Sequence, residues 1–102
     1  MKFFVYVIEC EDGSLYTGYS NDPLKRYQKH CSGNGAKYTR SHKPKSLKMV
    51  VGFEEKSVAM KMEYAIKQLS HEQKQKLIGL VNTAGFSVEN DFETVLNSFK
   101  EC

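Results

Sequence analysis

The stretch Phe3-Phe4-Val5-Tyr6-Val7-Ile8-Glu9-Cys10-Glu11-Asp12-Gly13-Ser14-Leu15-Tyr16-Thr17-Gly18-Tyr19-Ser20 decides the fold. Residues 3–9 are apolar on both alternating faces and rich in aromatic and β-branched types, the composition of a strand covered on both sides. Residues 14–20 form a second strand-like run. Glu11-Asp12-Gly13 between them predicts an antiparallel hairpin. Loop length then sets the register. A two-residue Asp12-Gly13 turn would throw Tyr6 and Tyr16 onto opposite faces. A three-residue loop with Gly13 in the left-handed conformation shifts the pairing by one residue. Tyr6 then sits opposite Gly18, and Tyr16 is its diagonal neighbour on the same face. We adopt the second register. It sets two phenols beside a glycine and predicts room there for a ligand.

Outward from the hairpin, Asn21 or Asp22 is placed to cap a helix whose first position is Pro23. Leu24, Tyr27 and Cys31 recur at helical spacing as its buried stripe, while Arg26 and His30 share a different face. Gly33-Asn34-Gly35 ends this helix, and a basic loop is expected over 36–45. Residues 47–54 read as a third strand. Ser57 is positioned to cap a helix over about 58–69, with Val58, Ala59, Met62, Ala65, Ile66 and Leu69 on its apolar face and Glu63 at the margin. Ser70-His71-Glu72-Gln73 resembles a capping box opening another helix. Beyond Thr83-Ala84-Gly85, the spacing of Val88, Phe92, Val95 and Phe99 predicts a short C-terminal helix packed on the body. The alternative is that this helix docks a protein partner.

Composition narrows the class. The chain has 102 residues, of which 40% are hydrophobic and 26% charged, ordinary values for one soluble globular domain. No apolar run approaches the roughly 18 residues that span a bilayer. The start reads as a strand rather than a signal peptide. The net charge of +3 conceals an uneven distribution. Between Pro23 and Lys48 there are eight basic residues and no acid, whereas residues 79–102 carry four acids and one base. A basic stretch in a small domain suggests a polyanion such as nucleic acid, with a solvated lysine-rich surface as the bland alternative. Cys10, Cys31 and Cys102 are odd in number and lack C-x-x-C spacing, so we read them as thiols in a reducing, cytoplasmic-type compartment, with Cys10 and Cys31 buried.

The polar residues placed to converge are Tyr6, Tyr16, Arg26, His30 and Glu63. Singly, each has a structural explanation: strand aromatics, a solvated helix cation, a surface histidine, and a Glu63–Lys67 pair at i, i+4. In combination, the chain resembles the GIY-YIG endonuclease superfamily. The resemblance rests on Val5-Tyr6-Val7, Tyr16-Thr17-Gly18, Asn21-Asp22-Pro23-Leu24-Lys25-Arg26, His30 and Glu63. Asp12-Gly13-Ser14-Leu15-Tyr16-Thr17-Gly18-Tyr19, Gly35-Ala36-Lys37-Tyr38-Thr39-Arg40 and Glu63-Tyr64-Ala65-Ile66-Lys67 make it most similar to the small stand-alone bacterial-type members.

This resemblance implies an α/β (α+β) fold, a three-stranded antiparallel β-sheet flanked by helices, with the additional C-terminal helix as an extension. Residues 1–82 would form the nuclease domain and 83–102 the extension. It implies hydrolysis of phosphodiester bonds in DNA, with RNA left open, in DNA repair or recombination. One divalent ion, Mg²⁺ or Mn²⁺, would be held by Glu63. Tyr16 would be the general base, Tyr6 would position the water or phosphate, Arg26 would stabilise transition-state charge, and His30 would orient or relay the proton. Lys25, Lys29, Lys37, Arg40, Lys43 and Lys45 would follow the nucleic-acid backbone, and Tyr38 would either stack on a base or pack internally. Cleavage directed by structure rather than sequence, in a monomer or weak dimer, is the expected mode.

Some residues depart from the family pattern. Val5-Tyr6-Val7 replaces a strict Gly-Ile-Tyr, Gln75 stands near where many members have asparagine, and Tyr19 stands where excision-repair relatives have lysine. The last two favour a rival, a non-catalytic nucleic-acid-binding module with the same fold. A second rival is an interaction subunit that docks through the C-terminal helix.

Overall fold

The computed structural model describes residues 2–84. In chain order they form β1 (Phe3–Cys10), β2 (Leu15–Ser20), α1 (Pro23–Cys31), α2 (Lys37–Ser41), β3 (Pro44–Phe53), α3 (Lys56–Lys67) and α4 (His71–Ala84). The expected helix through Val88, Phe92, Val95 and Phe99 lies outside the described residues.

The sheet is antiparallel with order β2-β1-β3, which makes the first strand of the chain the central one. Its sequence explains why. Val5, Tyr6, Val7 and Ile8 are at most 1% exposed, so both faces of β1 are covered. Burying a side chain of this size is worth about 1.5–3 kcal/mol. The hairpin adopts the three-residue register: Tyr6 pairs with Gly18, Val7 with Thr17 and Ile8 with Tyr16. Gly13 has φ 86°, the left-handed conformation this loop requires. Asp12 supports the turn by accepting hydrogen bonds from the Ser14 backbone N–H (3.0 Å) and hydroxyl (2.6 Å).

Two helical layers cover the sheet. On the Tyr6 face lie α1 and α2, through contacts made by His30, Tyr38 and Thr39. On the opposite face, Val5, Met49, Val51 and Phe53 line an apolar cavity together with Met62 and Ile66 of α3 and Leu77 and Val81 of α4. Asp22 caps α1, accepting from the Lys25 N–H at 3.2 Å, and Pro23 occupies its start. Ser70 and Gln73 form the reciprocal capping box of α4. The Gln73 N–H donates to Ser70 Oγ (3.2 Å), and the Ser70 N–H donates to Gln73 Oε1 (2.9 Å). His71 then ties α4 to the hairpin, donating from Nε2 to the Gly13 carbonyl at 2.8 Å.

Several expectations are corrected. The stretch expected as a basic loop contains the five-residue helix α2, and β3 starts three residues early, at Pro44. Helix α3 begins after Glu55 without a side-chain cap, so Ser57 lies inside it. Its expected apolar face is only partly buried: Ala59 and Ile66 are inside, whereas Val58, Met62 and Ala65 are exposed. The small Ala59 side chain lets the helix approach along a narrow stripe. On α1 the buried positions are Pro23, Tyr27 and His30, with Leu24 and Cys31 only half-buried. Cys10 is a free buried cysteine as expected.

Candidate functional site

Tyr6 is the centre of the site. As the middle residue of a central strand it points to one face, and Gly18 directly across leaves space for its ring. A Cβ on Gly18 would collide with the Tyr6 Oη, Cζ and Cε1 atoms. The expected room for a ligand beside Gly18 is therefore filled by the Tyr6 phenol itself. The ring of Tyr16, two residues before Gly18 on the same face, lies 6.5 Å from that of Tyr6.

His30 comes from the last turn of α1 and is fully buried, not on the surface. Its Nε2 lies 2.9 Å from Tyr6 Oη and its Nδ1 lies 2.6 Å from Thr39 Oγ1. Its ring also meets that of Tyr16, with centroids 5.2 Å apart. A Cβ on Gly35 would overlap the His30 ring, so two glycines, one under each ring, admit the Tyr6–His30 pair. Burial, with a smaller push from the Arg26 charge, lowers the His30 pKa to about 4. The imidazole is thus neutral at ordinary pH.

Arg26, one helical turn before His30, brings its guanidinium charge to bear on the Tyr6 phenol and favours its ionised form. Glu63 sits in the middle of the α3 contact stripe, between Ala59 and Ile66, rather than at its margin. Its side chain is 15% exposed, and Oε2 is 3.4 Å from Lys67 Nζ, the helical ion pair anticipated for it. Burial raises the Tyr6 pKa to about 12; the Arg26 guanidinium opposes this, while the neighbouring Tyr16 phenol and the Glu63 carboxylate add to it. Four residues thus bear on one buried phenol: Arg26 and Glu63 through their charges, His30 through its hydrogen bond and Tyr16 as a ring neighbour.

The basic residues are arranged more loosely. Lys25, Lys29, Lys37, Arg40, Lys43 and Lys45 are exposed, spread over α1, α2 and the start of β3. The structure brings none of them into the Tyr6 cluster. Tyr38 stacks on His42 (centroids 4.0 Å, planes 8° apart) and on Tyr16 (5.7 Å, 24°). Gln75 is exposed on α4.

Two residues of the site escaped sequence reasoning. Gly35 reads from sequence as one more helix terminator, and Thr39 lies in a stretch with no apolar period. Neither carries a local signal, because both act on His30 through space.

A metal site must be judged from its donors. Among the described residues no group of three or more His, Cys, Asp or Glu side chains could hold an ion. The cluster offers one carboxylate, Glu63. A single hard oxygen donor fits a cation that keeps most of its water and takes further ligands from a substrate's phosphates. It does not fit a zinc-type site built from several protein ligands.

Residues 2–76 match the family model of the GIY-YIG catalytic domain. The UPF0213 protein BH0048 of Halalkalibacterium halodurans is 48% identical over 80 residues, covering 78% of this chain and 85% of that protein. A UPF0213 protein of Halobacterium salinarum is 53% identical over 73 residues, covering 72% and 95% respectively. Among solved structures, the solution NMR structure of BH0048 from Bacillus halodurans is similar with TM-score 0.53 at 48% identity, over 78% of this chain and 85% of that one. The protein EF2693 from E. faecalis is similar with TM-score 0.58 at 36% identity, over 81% and 88%.

Proposed function

The chain belongs to the GIY-YIG catalytic domain family, and on that premise we propose that it is a metal-dependent endonuclease hydrolysing phosphodiester bonds in DNA. The observation that carries the proposal is the convergence of Tyr16, Arg26, His30 and Glu63 on the Tyr6 phenol. A cluster of strand tyrosines has no structural need for a forked cation and a carboxylate around it.

The two phenols divide the work. Tyr6 is buried, hydrogen-bonded and difficult to ionise, so it orients rather than accepts a proton in the chemical step. Tyr16 is half-buried beside it, within reach of solvent, and acts as the general base on the attacking water. A phenol ordinarily titrates near 10, so a neighbouring cation must favour its ionised form for work at neutral pH. Arg26 stabilises the charge that develops on the phosphoryl oxygens, where a planar fork matches the geometry. His30 holds Tyr6. Glu63 would hold one divalent ion, Mg²⁺ or Mn²⁺, which supplies charge neutralisation at the phosphate when bound.

Lys25, Lys29, Lys37, Arg40, Lys43 and Lys45 are assigned to phosphate contacts, so binding should weaken steeply with salt. The family match spans nearly all the described residues and leaves no second recognition unit among them. That favours substrates chosen by structure, such as flaps, forks or nicked duplex, in repair or recombination. Residues 1–82 are assigned the activity and 83–102 an accessory role. Among the described residues no helix is long and apolar enough to cross a membrane.

The test is a panel of labelled DNA and RNA structures incubated with Mg²⁺ or Mn²⁺, beside Glu63→Ala and Arg26→Ala. Cleavage by the wild type, reduced by about 100-fold or more in either variant, is expected, on the scale of losing one charge-stabilising group. Binding without cleavage under either metal, with Glu63→Ala indistinguishable from wild type, would replace this reading with that of a non-catalytic nucleic-acid-binding module.

A further inference from the structure

The buried chain of polar contacts behind Tyr6 contains more information than its distances. Thr39 Oγ1 lies 3.0 Å from the Ala36 carbonyl oxygen and 2.6 Å from His30 Nδ1. A carbonyl only accepts, and a hydroxyl has one hydrogen. The Ala36 carbonyl also accepts the Arg40 N–H at 3.2 Å; with the Thr39 hydrogen on that same carbonyl, Oγ1 accepts from the ring. A neutral imidazole has a single N–H, here used at Nδ1, so Nε2 presents its lone pair. Among the described residues the group at Nε2 is the Tyr6 hydroxyl, 2.9 Å away, and it donates to that lone pair.

We propose that Thr39 is a positioning residue whose hydroxyl fixes His30 in the Nδ1–H tautomer and thereby forces the Tyr6 phenol to donate inward, leaving its oxygen lone pairs for Arg26 and for substrate or water. The assignment of a catalytic benefit rests on the nuclease reading; the tautomer itself does not. The arrangement also explains α2. This five-residue helix has no side-chain cap, yet it holds Thr39 buried against His30, while Gly35 just before it admits the ring. The low pKa of His30 agrees, since a tautomer has meaning only in a neutral ring. It also follows that His30 cannot relay a proton to solvent, because both its nitrogens are engaged inside the protein.

The experiment uses the full chain, labelled with ¹⁵N, and reads long-range ¹H–¹⁵N correlations of the His30 ring near pH 7 in wild type, Thr39→Val and Thr39→Ser. Valine keeps the shape and removes the hydroxyl; serine keeps the hydroxyl. A protonated Nδ1 in wild type and Thr39→Ser, lost or mixed in Thr39→Val, is the expected result. A protonated Nε2 in the wild type overturns the proposal, and this measurement stands even if Thr39→Val fails to fold. An unchanged tautomer in a folded Thr39→Val overturns it equally. In parallel, kcat for cleavage of the best substrate should fall about 10- to 100-fold in Thr39→Val, the usual scale for a lost orienting partner, with KM little changed and Thr39→Ser restoring it to within a few-fold. Equal kcat in Thr39→Val and wild type refutes the catalytic benefit. A wild type that cleaves nothing refutes the nuclease reading, while the tautomer is still decided by the spectra.

Discussion

Replacing Gly18 with alanine isolates the contact on which the site is built. Gly18 sits in an ordinary strand and has no positive φ, so its backbone tolerates any residue. The obstacle is Tyr6: the added methyl would occupy the position of its Oη, Cζ and Cε1 atoms. A flexible side chain would move aside, but this ring is 1% exposed and bordered by the Tyr16 ring at 6.5 Å and the His30 ring at 5.8 Å. Forcing it to shift costs about 1–3 kcal/mol as overpacking. The shift also stretches the 2.9 Å Tyr6–His30 contact, and a buried polar group left unpaired costs about 1–3 kcal/mol more. The two effects overlap, so we expect a loss of about 3 kcal/mol. With a urea m-value of about 1.5 kcal/mol/M for a domain of this size, the midpoint should fall by about 2 M at unchanged m. Urea denaturation followed by circular dichroism measures this, and ring NMR of His30 should show its Nε2 environment altered. A Gly18→Ala protein within about 0.5 kcal/mol of wild type, with the His30 resonances unmoved, would refute the reasoning.

The same substitution has the opposite sign at Gly79, which lies exposed inside α4 with nothing within 4 Å of an added Cβ. There Gly79→Ala should raise stability by about 0.5–1 kcal/mol in the same denaturation assay. Ser70→Ala removes one half of the α4 capping box and should lower stability by about 1 kcal/mol, while Ser70→Asp retains most of it. Acid should destabilise the protein through His30. The unfolded chain takes up a proton near pH 6.5 that the folded protein refuses until about 4, so stability falls as pH drops through that window and is flat above it. The total is about 3 kcal/mol, and denaturation midpoints at pH 7, 5.5 and 4 should show a shallower slope in His30→Gln than in wild type.

Local chemistry was legible in the sequence, and action at a distance was not. The hairpin register followed from Gly13 and the two-residue period of strands, since a slip by one would have separated Tyr6 from Tyr16. The capping box followed from two side chains three residues apart. Helix α2 was missed because it has neither a side-chain cap nor an apolar period; its support comes from His30 and Tyr16, residues remote in sequence. His30 itself was paired with Arg26 by helical spacing, and spacing cannot tell a solvated face from one closed by Gly35 and Thr39. At Gly18 the sequence correctly implied a small residue beside two phenols. Only packing could reveal that one of those phenols occupies the space.

The strand order has a consequence for how the chain is made. Strand β1 emerges first from the ribosome, yet its two neighbours in the sheet are completed only at Ser20 and Phe53. The hairpin with β2 closes in microseconds once both strands are out. The other edge of β1 then waits for β3. At about 5–20 residues per second, the synthesis of residues 11–53 takes about 2 to 9 s. For that time the most apolar of the described strands presents an open row of backbone donors and acceptors to the cell, the kind of edge that templates aggregation. Substitutions that slow β3 or loosen the Gly13 turn should therefore appear first as lost soluble yield, before any change in the purified protein's equilibrium stability.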